Sequence, residues 1–566
     1  MNNSFAEQIA TIRTQLTSPG APFELVEEQV TGETVKMFRN AFPTLPDFIN
    51  AGREHGNATF MVYRGTSWSF NQFYQHADTL AAKFQSLGVK PGDRVAIAMR
   101  NRPEWGVAFV AAVLVGAVPA PLNSFELEQE LRASLKDLEP AVLCCDNDRL
   151  ECIKGDTGLA NCHLILVGKE HAKIPAPKLE RYNDIVTQKN SPQPVTVQPD
   201  DPALILLTSG ASSRAKGVLS THRAVCQALF GIDYIGAISA MSSPEAVAIM
   251  MESGLQPTTL TVVPLFHISG LHAQLLTALR HGRRLVIMYK WNPEEALELI
   301  QSENVTQFNG APSMVAQLIK EPGFEDPEIT GSLSALGFGG AGLSQKLIND
   351  VLDKRPNGMC GIGFGLTETN GMGAAGSGRI FSYKANSCGI PSPVIDTRIV
   401  DDHDKPLGVN EQGEICFRGV TLMDGYWRNE EATRIAKKDG WFHTGDVGYI
   451  DDEGFLFVVD RIKDVINRAG EKIASAEIES CLSEIPEIAE VAVFSLPSVQ
   501  TDESVAAAVV LNKGSTITAD NIKNIVGERL ASYKKPEHVF FRSNPLPRNP
   551  AGKVLKPELK KEYLNH

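Results

Sequence analysis

Between about residue 45 and residue 460, short apolar runs alternate with segments whose apolar residues recur at helical spacing. The runs 94–99 (RVAIAM), 141–146 (AVLCCD), 164–168 (LILVG), 203–210 (ALILLTSG), 260–266 (LTVVPLF) and 284–289 (RLVIMY) read as buried strands. Between them, Phe70 to Leu87 and Pro293 to Ser302 carry the helical pattern. Continuous apolar strands separated by helices predict parallel sheets covered by helices, an α/β fold. The apolar run from Trp105 to Leu122, interrupted by Pro119 and Pro121, is too short for the ~20 residues of a membrane span. It predicts a buried helix running into a strand. Residues 1 to about 45 are polar and mixed, and are expected to wrap the surface.

Past about residue 390 the pattern changes to short strands with turn signals, and Asp451-Asp452-Glu453-Gly454 reads as a hairpin turn. The last hundred or so residues read as a small α+β unit, with helices over Ala476–Ile485 and Ala519–Leu530 around two strand-like runs. The expected domains are a large one over 1–460, including a β-rich subdomain at about 390–460, and a small one over 461–566. At 566 residues the chain exceeds what one core supports. Hydrophobic residues at 43% and charged residues at 21% exclude disorder as the default. A net charge of −13 argues against nucleic acid as the main partner. The nine cysteines include no C-x-x-C or Cys/His spacing that implies zinc, and an odd count fits reduced thiols packed as small hydrophobes. Neither a secretory signal nor a C-terminal address is legible, so a cytoplasmic protein without a transmembrane segment is the expectation; oligomeric state is not encoded in any motif.

Four stretches carry chemistry. In LLTSGASSRAKGV (206–218) a buried strand opens into a loop of small and hydroxylated residues ending at Lys216. Such a loop exposes backbone N–H groups, hydroxyls and a cation to phosphate oxygens. It is not the nucleotidase P-loop, which needs Gly before the lysine and Ser/Thr after it, where this chain has Ala215 and Gly217. In isolation it reads equally as an ordinary strand-to-helix connection. GFGGAGLS (337–344) matches G-x-G-x-x-G through Gly337, Gly339 and Gly342, but no acidic strand end follows it, so a dinucleotide reading is rejected. In GIGFGLTET (361–369), Glu368 offers a carboxylate for magnesium and Phe364 an aromatic face for a base; a surface helix cap is the competing reading. In the stretch 440–479, Asp446 follows a Thr-Gly turn and can accept two ribose hydroxyls, while the planar fork of Arg461 suits a polyol or phosphate. Lys553 lies in LPRNPAGKVLK (546–556), where composition alone makes it a solvated tail lysine.

The order and spacing of these stretches resemble the adenylate-forming superfamily of acyl-CoA ligases, peptide-synthetase adenylation domains and beetle luciferases. The resemblance runs from about residue 45 to 560. PLFHISG (264–270), FGLTE (364–368) and GVKPGDRVAIAMRNRPEW (88–105) look most like fatty-acyl and aryl-acid CoA ligases. The resemblance implies a phosphate grip over 208–217, using Thr208, Ser209, Gly210, Ser212 and Lys216. It implies adenine contacts from Gly339, Gly340, Ala341, Gly342, Phe364 and Gly365, and an α-phosphate contact from Thr367. Glu368 would hold magnesium, and Asp446 and Arg461 the ribose. Lys463 would be a hinge, and Lys553 the lysine bridging carboxylate and α-phosphate. Gly470, in the turn with Glu471 and Lys472, would meet the coenzyme A pantetheine. His267 would lie beside the acid pocket with Gly310, Gly337 and Gly339, whose smallness would leave room for an acyl chain. Amino-acid-activating domains often carry Asp at the position of His267, so an amino acid substrate is disfavoured.

The chain departs from the family pattern at Ala211, Ser213 and Ala215, where Thr or Ser, Gly and Pro are usual. The implied reaction uses ATP, Mg2+ and coenzyme A. A carboxylate attacks the α-phosphorus and expels pyrophosphate, and the thiol of coenzyme A then attacks the acyl-adenylate. A small-molecule carboxylic acid is the expected partner, with a fatty acid placed ahead of an aryl acid. The alternatives are an adenylating enzyme that loads a carrier protein, and a nucleotide-binding protein with a decayed site.

Overall fold

The computed structural model describes residues 4–30, 32–154, 159, 161–168, 178–208, 215–339, 343–469, 471–549 and 552–564. Two sheets of the α/β kind dominate. A five-stranded, wholly parallel sheet runs in the order Val118–Pro121, Arg94–Ala98, Val142–Asp146, His163–Val167, Leu179–Arg181. A nine-stranded sheet has six parallel strands at its centre. Their order is Gly361–Gly365, Ala335–Phe338, Gln307–Gly310, Thr258–Thr261, Arg284–Ile287, Thr59–Tyr63, and antiparallel strands close both edges. The helices Phe70–Ser86 and Pro103–Leu114 share one core with strands of both sheets, so both sides of Pro103–Leu114 are covered. A helix that is apolar all round needs that placement. As expected, the run beginning at Trp105 is a buried helix followed by the strand Val118–Pro121.

Two expectations change. The run at 203–210 does not cross to a parallel neighbour; Pro202–Thr208 pairs antiparallel with Lys216–Thr221, with Thr208 opposite Lys216. A parallel crossover takes a dozen or more residues, and the connection here is too short, so the chain turns back on itself. The stretch 206–218 is therefore a hairpin, and its loop is not a strand-to-helix connection. The N-terminal 45 residues, in turn, do more than wrap the surface. The helix Phe5–Thr17 and the hairpin Leu25–Val30/Glu33–Phe38 bury Ile9, Leu16, Phe23 and Phe38 against Tyr234 and Ile238.

Among the described residues, the helix His222–Ser242 is long and apolar enough to cross a membrane, though more than half of it is buried inside the molecule. It packs Val225, Cys226 and Leu229 into the main core. All nine cysteines are free thiols; eight are buried and Cys152 is partly exposed.

The β-rich region is an antiparallel sheet built on Ile395–Val400, Gly413–Gly419, Trp441–Ile450 and Leu456–Arg461, and Asp451 to Gly454 make the expected turn. The C-terminal sheet pairs Ile488–Ser498 with Asp502–Leu511, flanked by the helices Ser475–Ser483 and Ala519–Arg529. The two regions meet at Asp460. Its carboxylate accepts the Ser475 N–H at 2.5 Å, the Ser475 hydroxyl at 2.7 Å and the Ala476 N–H at 3.3 Å, and so caps the first C-terminal helix.

Candidate active site

The carboxyl ends of the parallel strands Gln307–Gly310, Ala335–Phe338 and Gly361–Gly365 lie side by side. Ligands of open α/β sheets bind outside such ends, where loops can converge without breaking the ladder. Gly339 follows the second strand; the third leads into the turn Thr367–Thr369, and Ala311 and Ser313 follow the first. The C-terminal unit reaches the same edge. A Cβ on Gly552, at φ +83°, would come within 2.9 Å of Ala311 Cβ and 3.5 Å of Ser313 Oγ. The loop next to Lys553 thus seats on the end of the Gln307–Gly310 strand.

Asn549 closes that loop. Its side-chain oxygen accepts the Lys553 N–H at 2.9 Å, and its own N–H donates to the Lys553 carbonyl at 2.8 Å. Because the seat at Ala311 leaves no room for a Cβ, Gly552→Val is expected to displace the loop. It should cut any activity that depends on Lys553 by about tenfold or more, with little change in thermal midpoint. Steady-state kinetics alongside a melt checks this.

Lys553 lies within the electrostatic reach of an ion pair. Asp446 and Arg461 face each other across neighbouring antiparallel strands, with Arg461 Nε 2.9 Å from Asp446 Oδ1. Asp446 is 2% exposed, and its other oxygen, Oδ2, has no hydrogen-bond partner among the described residues. A buried carboxylate oxygen without a donor is costly, and a ligand hydroxyl would satisfy it. Burial raises the Asp446 pKa, against the pull of Arg461, Lys553 and Lys463. Lys553 is pushed down to about 8, chiefly by burial and next by the like charge of Arg461, with Asp446 opposing. Lys463 is exposed in the 3-10 turn Ile462–Asp464, between the two regions that Asp460 joins.

The turn carrying Asp446 is clamped by residues that the sequence did not single out. Gly445 stands at φ +72°, in a register shift between the strands Gly413–Gly419 and Trp441–Ile450. Glu414 accepts the Gly445 N–H at 3.0 Å with one oxygen and His443 Nδ1–H at 2.8 Å with the other. Thr444 Oγ1 donates to the Ile415 carbonyl at 2.8 Å and accepts the Asp446 N–H at 3.0 Å. Glu414, Cys416 and His443 come close enough to hold a cation, a grouping that cysteine and histidine spacing does not reveal. Both oxygens of Glu414 already accept N–H groups, which gives the cluster a structural use.

Glu368 and Lys216, far apart in sequence, meet through Tyr426. The Tyr426 hydroxyl donates to Glu368 Oε1 at 2.8 Å, and Lys216 Nζ lies 4.8 Å from the centre of the Tyr426 ring. Thr208 Oγ1 donates to the Lys216 carbonyl at 3.4 Å. Phe364 packs on Phe417, with ring centres 6.0 Å apart. A Cβ on Gly365 would strike the Gly371 carbonyl, so close backbone packing explains that glycine. Thr367 opens the short turn that contains Glu368. Ser209, Gly210, Ala211, Ser212, Ser213, Gly340, Ala341, Gly342 and Gly470 lie outside the described residues; Ala215 directly precedes the Lys216 strand.

Residues 48–427 match the AMP-binding enzyme family, and residues 477–553 match the AMP-binding enzyme C-terminal domain. The chain belongs to the AMP-binding enzyme family. It is 32% identical over 503 residues to 4-coumarate–CoA ligase 2 of Nicotiana tabacum, covering 86% of this chain and 89% of the relative. ATP-bound MatB from Rhodopseudomonas palustris superposes with a TM-score of 0.80 at 25% identity, covering 91% of this chain and 99% of that one. The o-succinylbenzoate CoA synthetase MenE of Bacillus subtilis, in complex with its acyl-adenylate intermediate OSB-AMP, superposes with a TM-score of 0.73 at 26% identity, covering 92% and 99%.

The residues present suit what an AMP-binding enzyme holds. The unpaired Asp446 oxygen matches a ribose hydroxyl, and the Glu368 carboxylate is the hard oxygen donor that magnesium takes. His267 follows the strand Thr258–Thr261 after a loop, and its ring lies tilted against Phe266, with ring centres 4.5 Å apart. Its Nε2 is buried without a partner among the described residues, and burial pushes its pKa down to about 4. The imidazole is therefore neutral at physiological pH. The glycines nearby differ from expectation in one respect. The space beside Gly310 is taken by the Phe308 ring at 2.8 Å, and that beside Gly337 by the Asn309 side chain, so their smallness admits protein atoms. Gly339 has nothing described within 4 Å of a Cβ. Next to His267, the π-helix Leu271–Leu276 buries His272 and Gln274, each with one polar atom that has no partner among the described residues.

Proposed function

We propose that this AMP-binding enzyme is an AMP-forming acid–coenzyme A ligase acting on an aryl acid. The observation that carries the reading is the seating of the Lys553 loop on Ala311, with Lys553 in the field of the Asp446–Arg461 pair. That arrangement brings a cation from the far end of the chain to a buried acceptor at the carboxyl edge of the sheet. The motif resemblance places a fatty acid first. The relatives named 4-coumarate–CoA ligase support an aryl acid instead, and the neutral His267 beside Phe266 suits an uncharged ring.

The chemistry brings two anions together, so fixed positive charge is the main catalytic need. Asp446 accepts the ribose hydroxyl through Oδ2, and Arg461 fixes the Asp446 rotamer. Lys216 neutralises the outer phosphates, and Lys553 neutralises charge between the carboxylate and the α-phosphate. Magnesium, held by Glu368, would spread the phosphate charge further. The carboxylate oxygen bonds to the α-phosphorus as the bond to pyrophosphate breaks; the thiol then takes the acyl group and AMP leaves. Because Lys553 and the thiol need the same face, the C-terminal unit turns about Lys463 between the half-reactions. That turn withdraws Lys553 and brings the paired strands Ile466–Arg468 and Glu471–Ile473 forward.

Pyrophosphate release with ATP and a panel of hydroxycinnamic, benzoic and aliphatic acids tests the reading, with coenzyme A-dependent thioester formation as the second readout. Release with no acid, or thioester formation only on a carrier protein, refutes it. His267→Ala is expected to raise KM for the acid about tenfold, with KM for ATP nearly unchanged. The wild-type pH profile should show no inflection near 6.5, because an imidazole with a pKa of about 4 is already neutral there.

A further inference from the structure

We infer that Tyr426 is a positioning residue that sets the phosphate lysine against the metal-binding carboxylate, its ring carrying Lys216 and its hydroxyl holding Glu368. The inference rests on the roles proposed above for those two residues. Lys216 begins a strand of a three-stranded sheet, whereas Glu368 follows a strand of the nine-stranded sheet, so no shared ladder fixes their separation. The segment 423–427 crosses between them. The Met423 N–H donates to the Glu368 carbonyl at 2.7 Å, and the Asp424 N–H donates to the Leu219 carbonyl at 2.8 Å. Tyr426 stands opposite Val218 in the ladder, and the Trp427 N–H donates to the Gly217 carbonyl at 2.7 Å. The Tyr426 N–H is tied in turn to Thr433 Oγ1 at 2.9 Å. Backbone hydrogen bonds thus pin the segment to both catalytic elements, and a single side chain reaches the functional atom of each.

The two contacts differ in kind. The hydroxyl donates to one oxygen of Glu368, which fixes the carboxylate plane and leaves the other oxygen for a cation. The ring face offers Lys216 a weak electrostatic seat, which a phosphate displaces easily. Tyr426 thereby holds the two charges in place before the nucleotide arrives.

Tyr426→Phe keeps the ring and removes the donor; Tyr426→Leu removes both. Calorimetric titration of the full-length protein with ATP, with and without magnesium, and with AMP separates the two functions. For Tyr426→Phe, the magnesium concentration giving half-maximal tightening of ATP binding should rise about tenfold, the usual cost of losing a hydrogen bond to a charged group. Its affinities for AMP and for magnesium-free ATP should stay within about twofold of wild type. Tyr426→Leu should in addition weaken magnesium-free ATP a further fewfold, through Lys216. Equal losses for AMP and magnesium-ATP in Tyr426→Phe would mark a merely structural role, and no change at all would equally overturn the inference. If the leucine variant does not fold, the phenylalanine variant decides alone. If Glu368→Gln and Lys216→Ala leave magnesium-ATP binding intact in the parent protein, the roles of those residues fail, and that outcome is distinct from a failure of Tyr426.

Discussion

Lys553→Ala is expected to abolish adenylate formation, by at least about 10²–10³-fold for a lost transition-state cation, while still converting supplied acyl-adenylate to thioester. The asymmetry follows from the turn about Lys463 proposed above, which would take Lys553 away from the seat that Gly552 makes on Ala311. Pyrophosphate release and thioester formation, measured separately, check it; equal loss of both half-reactions would end the two-arrangement reading. The same residue predicts a pH limb. Burial and Arg461 disfavour the ammonium, so its proton leaves near pH 8 and not near the ordinary 10.5. The cation is complete below that pH and lost above it. In the free enzyme, kcat/KM for adenylation should therefore fall as pH rises through about 8. Lys553→Arg retains the charge and should remove the limb, whatever its effect on rate.

Asp446→Asn is expected to have the second largest effect, and through two routes. The amide is a weaker acceptor for ribose, and it leaves the Arg461 guanidinium without its carboxylate. Breaking a buried pair by removing one partner typically costs about 3–5 kcal/mol. Arg461 is about one-third exposed, so the lower end, or less once solvent screens it, is the expectation here. KM for ATP should rise by roughly two orders of magnitude, and thermal unfolding should move down by a few degrees. The substitution also removes the one charge in the pair that favours protonated Lys553, so the alkaline limb should move below pH 8. Arg461→Gln removes an opposing charge and should move the limb up. Limbs that stay put in both variants would separate Lys553 from the pair.

Much of the fold was legible because its strands are buried on both faces and so write continuous apolar runs. RVAIAM, AVLCCD and LILVG became neighbours in one parallel sheet, and Pro293–Ser302 is a helix from its first expected residue to its last. The hairpin of Pro202–Thr208 and Lys216–Thr221 was not legible as such, because a buried strand looks the same whichever way its partner runs. The N-terminal segment was misjudged for a related reason. Phe23 and Phe38 are isolated in a polar stretch and become core only against Tyr234. Asp446, Arg461, Glu368 and Lys216 were legible as candidates because each sits in a stretch of unusual local chemistry. Tyr426, Glu414 and His443 were not, since an aromatic after glycine or an acid in a strand has many ordinary uses.

The sequence by itself determined the α/β class, the succession of elements and the residue types available for phosphate, ribose and carboxylate. These follow from local spacing and side-chain chemistry, which survive without knowledge of the partners. Only the tertiary structure decided that Lys553 would leave a solvated tail for a partly buried seat beside Asp446 and Arg461. Composition makes it an ordinary lysine. Its lowered pKa arises from desolvation and from charges contributed by a different part of the chain, and such couplings exist only once the Gly552 turn has come to rest on Ala311.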